Sequence, residues 1–270
     1  MLILWNKDKT LFFNITANDM DTYCTSVKGF GVNFNISKHE SLNNTKITNI
    51  KNNAPNIEFE FIAKSFGRFR ELIDFISANG LNKLIIEYRD RLYDVYAKTL
   101  PKSQFTQYQA LEEKFIFERI GYAYIEKELT FVIDANVIGT VDIPLNVPHK
   151  LVGQAFINEV EFTNSFFERV PIKIIINGGF NSLLQLYIKD LSGTIVNEIN
   201  VSRLLNDGDI MIIDSEERSV LLNGTNGYDY ISRSSNSFMF VNNGSYLIGG
   251  NVTIGDSGTV QFIVKQYFLD

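Results

Sequence analysis

The sequence predicts a mainly β protein that contains one α-helix and has two domains, residues 1–133 and 134–270. Two observations lead to this prediction. Most apolar residues alternate with polar ones, which is the period of a strand, and a single segment repeats at helical spacing. The chain has 270 residues, of which 45% are hydrophobic and 21% charged. That length suits two domains of ordinary size, and the composition excludes wholesale disorder.

The first domain is predicted to begin with short strands. Residues 2–5 and 10–15 are rich in β-forming residues, and residues 32–36 alternate apolar and asparagine side chains. Residues 57–62 alternate throughout, which places Ile57, Phe59 and Phe61 on one face. We therefore predict a strand with one apolar face at residues 57–62.

A helix is predicted at residues 66–78. Its apolar residues recur at three- and four-residue spacing, Ser65 stands where a helix cap is preferred, and Asn79 and Gly80 stop the pattern. We expect the apolar face of this helix to pack on the sheet of the first domain. That face consists of Phe69, Leu72, Ile73 and Ile76.

The rest of the first domain is predicted to be strands. Residues 84–88 and 92–97 flank the charged turn 89–91, which is typical of a β-hairpin. Residues 115–125 and 128–133 continue the β pattern, and the charge-rich residues 111–114 before them are predicted to be a loop. Asparagine is abundant in residues 33–56, which we interpret as a supply of polar loop residues.

The second domain is predicted to be an antiparallel β-sandwich. Gly139, Pro144 and Pro148 lie close together, and the domain boundary is placed just before this stretch. After it, short strands alternate with glycine or asparagine turns and no helical pattern intervenes. The predicted strands are 155–162, 170–176, 183–189, 194–199, 209–214, 219–222, 237–241, 244–248 and 260–266.

Charge and residue counts exclude several classes of function. The net charge is −6 and the pI is about 5.1, which argues against a nucleic-acid binder because phosphate neutralisation needs a basic face. The single cysteine, Cys24, excludes an intrachain disulfide. With only His39 and His149, a His/Cys metal cage is also disfavoured.

No nucleophilic active site is predicted. The sequence has no Gly-x-Ser-x-Gly motif, and Cys24 lies in a polar strand or turn far from either histidine in sequence. Both His39 and His149 stand in polar segments typical of exposed loops. We interpret all three residues as structural.

Paired carboxylates are weighed as a glycosidase site or as calcium ligands. The pairs Asp19/Asp21, Asp207/Asp209 and Glu216/Glu217 lie in turn-like segments, and neighbours of this kind usually face solvent. Asp207, Asp209 and Asp214 lack the spacing of an EF-hand loop. If a wall-hydrolase site existed, Asp214 or Glu217 would be the candidates. We predict no catalytic residue, no cofactor-binding residue, no metal ligand and no cofactor.

Saccharide binding is kept as an alternative function. Tyr228, Tyr230 and Tyr246 lie in or beside loops of the second domain and are candidates for stacking on sugar rings. Against this, the one tryptophan of the chain, Trp5, is in the first domain. Glycan binding by residues 134–270 is the observation that separates this alternative from a purely structural role.

The C-terminal half resembles a known family. Residues 208–214 and 219–224 form a strand and then a second strand that ends in Asn-Gly. Asp229-Tyr230 precedes a strand containing Phe238 and a turn at Gly244, and residues 259–268 end in aromatics. Residues 170–178 and 183–193 add an apolar strand, an Asn-Gly turn and an Asp-x-x-Gly run. This order resembles the distal tail proteins of long-tailed, non-contractile phages of Gram-positive bacteria and of related prophages, and the N-terminal half matches in layout.

The resemblance implies an N-terminal domain related to tail-tube proteins, a C-terminal galectin-like or jelly-roll sandwich, and a homo-hexameric ring. The ring would join the tail tube to tail-tip, baseplate or receptor-binding proteins, and DNA would pass through it without sequence-specific contact. The implied role is non-enzymatic. The implied location is the virion tail, after assembly in the host cytoplasm, and we expect no signal peptide and no membrane span.

Overall fold

The computed structural model describes residues 1–16, 22–31, 33–41, 44–53, 55–63, 66–79, 83–99, 111–133, 154–180, 183–253 and 258–268. The chain divides into two compact units, unit 1 (Met1–Ile125 with Tyr267–Asp270) and unit 2 (Glu126–Gln266). The predicted boundary at 133/134 adjoins residues 134–153, which lie outside the described residues, and it stays a prediction. The described residues are mainly β with one α-helix, as predicted.

Unit 1 is built on one antiparallel sheet with the strand order β3-β6-β9-β8-β7-β1-β2. A separate two-stranded sheet pairs β4 with β5. The elements are β1 (Leu2–Trp5), β2 (Phe12–Asn14), β3 (Thr22–Lys28), β4 (Asn33–Ser41), β5 (Asn44–Asn53), β6 (Ile57–Ala63), α1 (Phe66–Asn79), β7 (Leu84–Tyr88), β8 (Arg91–Thr99) and the first part of β9 (Leu111–Ile133).

The alternating residues of β6 form the centre of the unit 1 core. Ile57, Phe59 and Phe61 are at most 1% exposed, as the strand period predicts. The Phe59 ring stacks between Phe115 and Phe117 of β9, with ring centroids 5.2 and 5.4 Å away. Each of these side chains contributes about 1.5–3 kcal/mol by leaving water.

The helix α1 covers the apolar face of this sheet, which confirms the prediction for residues 66–78. Phe69, Leu72 and Ile76 are buried, and Ile73 packs partly buried against the same core. The Phe69 ring lies 6.0 Å from Phe115. The proposed cap and the glycine stop, residues 65 and 80, lie outside the described residues. Over the described ranges, no helix has the length and apolar character needed to cross a membrane.

The hairpin predicted around the charged turn is confirmed. Strands β7 and β8 pair directly, with Tyr88 opposite Arg91. Arg89 and Asp90 both have positive φ, 51° and 63°, which is the geometry of a two-residue hairpin turn. Local sequence therefore fixes this connection.

Two predictions for unit 1 were wrong. Residues 111–114 are the start of β9 and not a loop, because they pair with β6. Here Lys114 forms a 2.6 Å ion pair with Glu58. The asparagine-rich stretch is also not a loop, since it forms most of β4 and β5, in which Ile36 is paired with Ile50. In both places, cross-strand pairing overrides the low strand propensity of charged and asparagine residues.

Unit 2 contains two antiparallel sheets. One runs β16-β15-β14-β11-β19 with β9 beside β19, and the other runs β10-β18-β12-β13. The strands are β10 (Gln154–Asn164), β11 (Val170–Asn177), β12 (Leu184–Asp190), β13 (Ile195–Val201), β14 (Ile210–Asp214), β15 (Ser219–Leu222), β16 (Thr225–Asn226), β17 (Phe240–Val241), β18 (Gly244–Thr253) and β19 (Gly258–Phe268). A short 3₁₀-helix, Tyr228–Tyr230, was not predicted.

Both sheets of unit 2 contribute buried apolar side chains. In β11, Val170, Ile172 and Ile174 are fully buried while the residues between them are partly exposed. In β12, Leu186 and Ile188 are buried, and Tyr187 between them is also buried. The buried face of β11 requires a second layer to cover it, which supports the predicted sandwich. The galectin-like topology of this unit stays a prediction.

Replacing Leu72 with Asp should lower the free energy of unfolding of unit 1 by about 4 kcal/mol or more, because it buries an unpaired carboxylate in the core. Thermal melting and urea denaturation measure this change. The neighbouring Glu71→Ala substitution, at a side chain that is 65% exposed, is the matched control and should cost within about 0.5 kcal/mol. An unchanged melting curve for Leu72→Asp would refute the placement of α1.

Candidate assembly surface

The β4–β5 hairpin is the first part of the candidate assembly surface. Among the described strands, β4 and β5 pair only with each other, through a register that runs from Asn33↔Asn53 to Ser41↔Asn44. Strands of nine and ten residues extend about 30 Å. Their outer edges therefore carry backbone donors and acceptors that no described strand uses.

The two ends of the hairpin meet at a close backbone approach. Gly29, at the end of β3, has a φ of +95°, and a Cβ at this position would lie 1.9 Å from the carbonyl oxygen of Asn56. Only glycine fits there. The chain therefore leaves the sheet and returns to it at one point, which we call the hairpin root (Gly29, Phe30, Gly31 and Asn56).

Aromatic rings hold the hairpin root against the sheet. The Phe30 ring stacks on Tyr88 of β7 with a centroid distance of 4.2 Å and meets Tyr93 of β8 edge-on at 4.9 Å. Phe30 is partly buried against the unit 1 core. Such pairs add about 0.5–1.5 kcal/mol each beyond area burial.

A buried arginine completes this contact. Arg119 of β9 is 5% exposed, and its Nη1 donates hydrogen bonds of 3.1 Å to the carbonyl oxygens of both Phe30 and Gly31. Its guanidinium lies 4.8 Å from the centroid of the Tyr93 ring. The Nε and Nη2 atoms are buried and have no hydrogen-bond partner among the described residues. Arg119 thus bridges the sheet and the hairpin root with only part of its donors used.

The electrostatics of this pair follow from burial. Burial lowers the pKa of Arg119, and the nearby Tyr93 opposes that effect. Burial also raises the pKa of Tyr93, which the charges of Arg119 and Arg91 oppose. The raised pKa keeps the tyrosine uncharged at neutral pH, and a guanidinium stays protonated in proteins, so the pair has the charges that a cation–π contact requires.

A second buried charge in unit 1 is paired more completely. Asp94 of β8 is 6% exposed. Its Oδ1 accepts a 2.7 Å hydrogen bond from the Tyr124 hydroxyl, and its Oδ2 lies 3.2 Å from Lys83 Nζ. The two partners of this carboxylate, Lys83 and Tyr124, lie outside the hairpin root.

The edge strand β2 exposes large apolar side chains. Phe12, the first residue of β2, and Leu11 just before it are each 59% exposed, and β2 pairs only with β1 among the described strands. Trp5 packs on Phe12 with centroids 5.0 Å apart, and its indole N–H donates to Glu87 at 2.9 Å. Exposed apolar residues on a strand edge are typical of a protein–protein contact.

The candidate catalytic carboxylates occupy a turn of unit 2. The Oδ1 atom of Asp214 accepts hydrogen bonds of 3.0 Å from the backbone N–H groups of both Glu216 and Glu217. Its Oδ2 lies 3.9 Å from Lys173 Nζ, and Glu216 forms an ion pair of 2.6 Å with Lys265. In this arrangement Asp214 stabilises the β14–β15 turn.

The other acidic candidates do not form a metal cluster in the described residues. Asp209 accepts hydrogen bonds from Asn223 and Asn206, which lower its pKa. Across the described ranges, no three His, Cys, Asp or Glu side chains come together as metal ligands. The pair Asp19/Asp21 lies outside the described residues.

The cysteine and histidines are dispersed. Cys24 lies in β3, where its thiol donates to the Ser26 carbonyl at 3.6 Å and burial raises its pKa. His39 lies in β4 opposite Lys46, so its placement in a loop was wrong, because the asparagine-rich stretch forms strands. His149 lies outside the described residues.

The three candidate sugar-stacking tyrosines differ in environment. Tyr228 is 42% exposed, and its hydroxyl donates to the Arg218 carbonyl at 2.5 Å. Tyr230 lies under the guanidinium of Arg203, 5.5 Å from the ring centroid. Tyr246 is in β18, with its hydroxyl 3.4 Å from the Asn243 carbonyl. Of these three tyrosines, Tyr228 is therefore the most exposed, and its hydrogen bond fixes the orientation of its ring.

Arg119 was not selected from the sequence, although a signal was present. Phe115, Phe117 and Arg119 occupy alternate positions of β9, and all three are buried. An arginine on the apolar face of a strand departs from the period-two pattern, and such departures mark candidate functional positions. Its partner Phe30 gave no such signal, because it precedes the hairpin in an irregular segment.

Comparisons with known proteins point to one family. Residues 2–120 match the family described as distal tail protein, N-terminal domain. A chain of the phage P2 baseplate, in its activated conformation with calcium, has the same fold, with a TM-score of 0.66 and 13% identity over 99% of this chain and 98% of that chain. The same baseplate with strontium gives equal values. No curated protein matches the chain.

A distal tail protein itself also shares the fold. The SPP1 Dit protein, described as a paradigm of the hub adsorption apparatus in phages that infect Gram-positive bacteria, has a TM-score of 0.53 and 12% identity over all of both chains. The solved structures show that the chain has a fold found in phage baseplate and distal tail proteins. The match to the distal tail protein family covers residues 2–120, the N-terminal part of the chain.

Proposed function

We propose that six copies of this chain close into a ring that joins the phage tail tube to the tail tip or baseplate. Its partners are then the tail tube protein on one side and tail-tip, baseplate or receptor-binding proteins on the other. DNA passes through the open centre without sequence-specific contact. The protein assembles in the host cytoplasm and resides in the virion tail. The match of residues 2–120 to the distal tail protein N-terminal domain supports this role, and the number six comes from the family resemblance.

The β4–β5 hairpin is the observation that carries the proposal. A lone two-stranded hairpin is marginally stable in water and needs a further strand or a packing partner. Among the described strands of unit 1 none pairs with it. A neighbouring copy in a ring supplies that partner, because strands of different subunits can complete each other's ladders.

The β2 edge provides a second and different contact. A ring requires heterologous interfaces, in which one surface of a subunit meets another surface of its neighbour. The hairpin and the edge with Leu11 and Phe12 are two such surfaces. We infer that both contribute to the contacts between adjacent subunits.

Multi-angle light scattering should give the wild-type protein a mass of six chains, or a mass that rises toward six with concentration. Phe12→Asp should shift the population toward monomer, because it places a charge in the contact. Its melting temperature should stay close to wild type, since Phe12 is 59% exposed.

The matched control for this experiment is Leu191→Asp, which changes an exposed apolar residue of unit 2 (64% exposed) and should leave the mass unchanged. A wild-type protein that stays strictly monomeric at high concentration contradicts the ring. Equal effects of both substitutions would contradict the role of β2.

A saccharide-binding role of unit 2 is the second candidate function. The observation in its favour is Tyr228, whose ring is exposed and oriented by its hydroxyl bond to Arg218 and by an edge-on contact with Phe238 at 6.2 Å. Oriented aromatic rings are suited to stacking on sugars, although the fold alone does not establish the function.

Under the leading proposal, the protein should show no binding on a cell-wall glycan array or to soluble sugars at millimolar concentration. Binding that is abolished by Tyr228→Ala and retained in Tyr96→Ala, a similarly exposed tyrosine of unit 1 (43%), would establish the second function.

We also propose that the role is structural and not catalytic. The support is the position of Asp214, whose carboxylate is engaged by the N–H groups of its own turn. A glycosidase needs two carboxylates that face each other across a cleft.

Zymography on Gram-positive cell walls should give no cleared band for the wild-type protein. A cleared band that disappears in Asp214→Asn would overturn the structural role. Asp209→Asn, at an exposed turn in the same unit, is the control for non-specific loss.

A further inference from the structure

We propose that Arg119 is a positioning residue that fixes the direction in which the β4–β5 hairpin leaves the sheet, and that this direction sets the geometry of subunit assembly. The second part of the inference rests on the proposed ring. The first part concerns unit 1 alone and can be tested without a ring.

The contacts of Arg119 join two segments that are distant in sequence. One nitrogen, Nη1, donates to two successive carbonyl oxygens, those of Phe30 and Gly31, both at 3.1 Å. The central carbon of the guanidinium lies over the Tyr93 ring, 4.8 Å from its centroid. Two successive carbonyls held by one rigid group define an orientation of the backbone and not only a position.

The energetic balance indicates that Arg119 positions the hairpin root and does not serve to stabilise the fold. Nε and Nη2 are buried without a partner among the described residues, and an unpaired buried donor is costly. Replacing a buried charge by an apolar side chain of similar volume is often neutral or stabilising. Since Gly31 is exposed and Phe30 half-buried, water can reach the carbonyls that such a replacement would release.

A small change in direction at the hairpin root produces a large displacement at the far end of the hairpin. Three contacts converge there: the close approach of Gly29 to Asn56, the Phe30 rings and the Arg119 hydrogen bonds. For a strand about 30 Å long, a tilt of about 10° at the root moves the far end by about 5 Å. That displacement exceeds the distance over which strands of two subunits can pair, and in a symmetric ring every interface carries the same error.

The test measures hairpin direction and assembly separately in the full-length protein. Spin labels are attached to cysteines introduced at Ser41, at the far end of the hairpin, and at Asp74, an exposed position of α1 (70%), in a Cys24→Ala background. Labelled protein is diluted with unlabelled protein, and pulsed electron spin resonance gives the distribution of distances within one chain. Light scattering gives the assembly state, and thermal melting gives the stability.

Arg119→Met is the test variant, and Tyr124→Phe is the matched control. The control removes the 2.7 Å bond to the other buried charge, Asp94, which is not part of the hairpin root. We expect Arg119→Met to broaden or shift the distance distribution and to lose the ring-sized species, with a melting temperature close to wild type. Tyr124→Phe should melt earlier and keep the wild-type distance distribution. Arg119→Lys should resemble Arg119→Met, because the ammonium group of lysine cannot reproduce the fixed hydrogen-bond geometry of the planar guanidinium.

Each of the other outcomes contradicts one part of the inference about Arg119 or the proposed function. An unchanged distance distribution in Arg119→Met overturns the inference, whether or not the wild type forms rings. A broadened distribution with intact rings overturns the link from hairpin direction to assembly. A lower melting temperature with an unchanged distribution would show a purely structural role and would also overturn it. A wild type without rings counts against the proposed function, while the distance measurement still decides the role of Arg119.

Discussion

The buried face of β9 is the constraint on which unit 1 depends. This strand pairs with β6 on one side and with β8 on the other, so both halves of the sheet take their register from it. Its alternate residues Phe115 and Phe117 build the core, and the next one, Arg119, reaches the hairpin root. A shift of one residue would turn all three side chains to the opposite face. Core packing and the anchor of the hairpin are therefore set by one register.

The two buried charges of unit 1 show two different uses of a polar group in a core. Asp94 is bound by Tyr124 and Lys83, so that its desolvation is offset within the sheet. Arg119 leaves two nitrogens unpaired among the described residues and directs its remaining bonds to the chain segment before the hairpin. Polar groups that are only partly satisfied inside a fold are expected where function, and not stability, selects the residue.

Much of the fold could be predicted where a pattern is local. The period of Ile57, Phe59 and Phe61 and the spacing in α1 each follow from neighbours in sequence. The hairpin β4–β5 and the start of β9 could not be predicted in this way, because asparagines and charges enter strands there through pairing with distant segments. For the candidate site, Glu216 and Glu217 were correctly assigned to a turn-like segment and Asp214 to the end of a strand, whereas Arg119 required knowledge of which strand face is buried.

Electron micrographs of the isolated protein test the central claim most directly. A hub that closes on itself should appear as rings of six subunits with an open centre wide enough for DNA. Averaged end-on views should show six-fold symmetry without any symmetry having been imposed. Particles of single-chain size at every concentration, or open filaments in place of closed rings, would contradict the account.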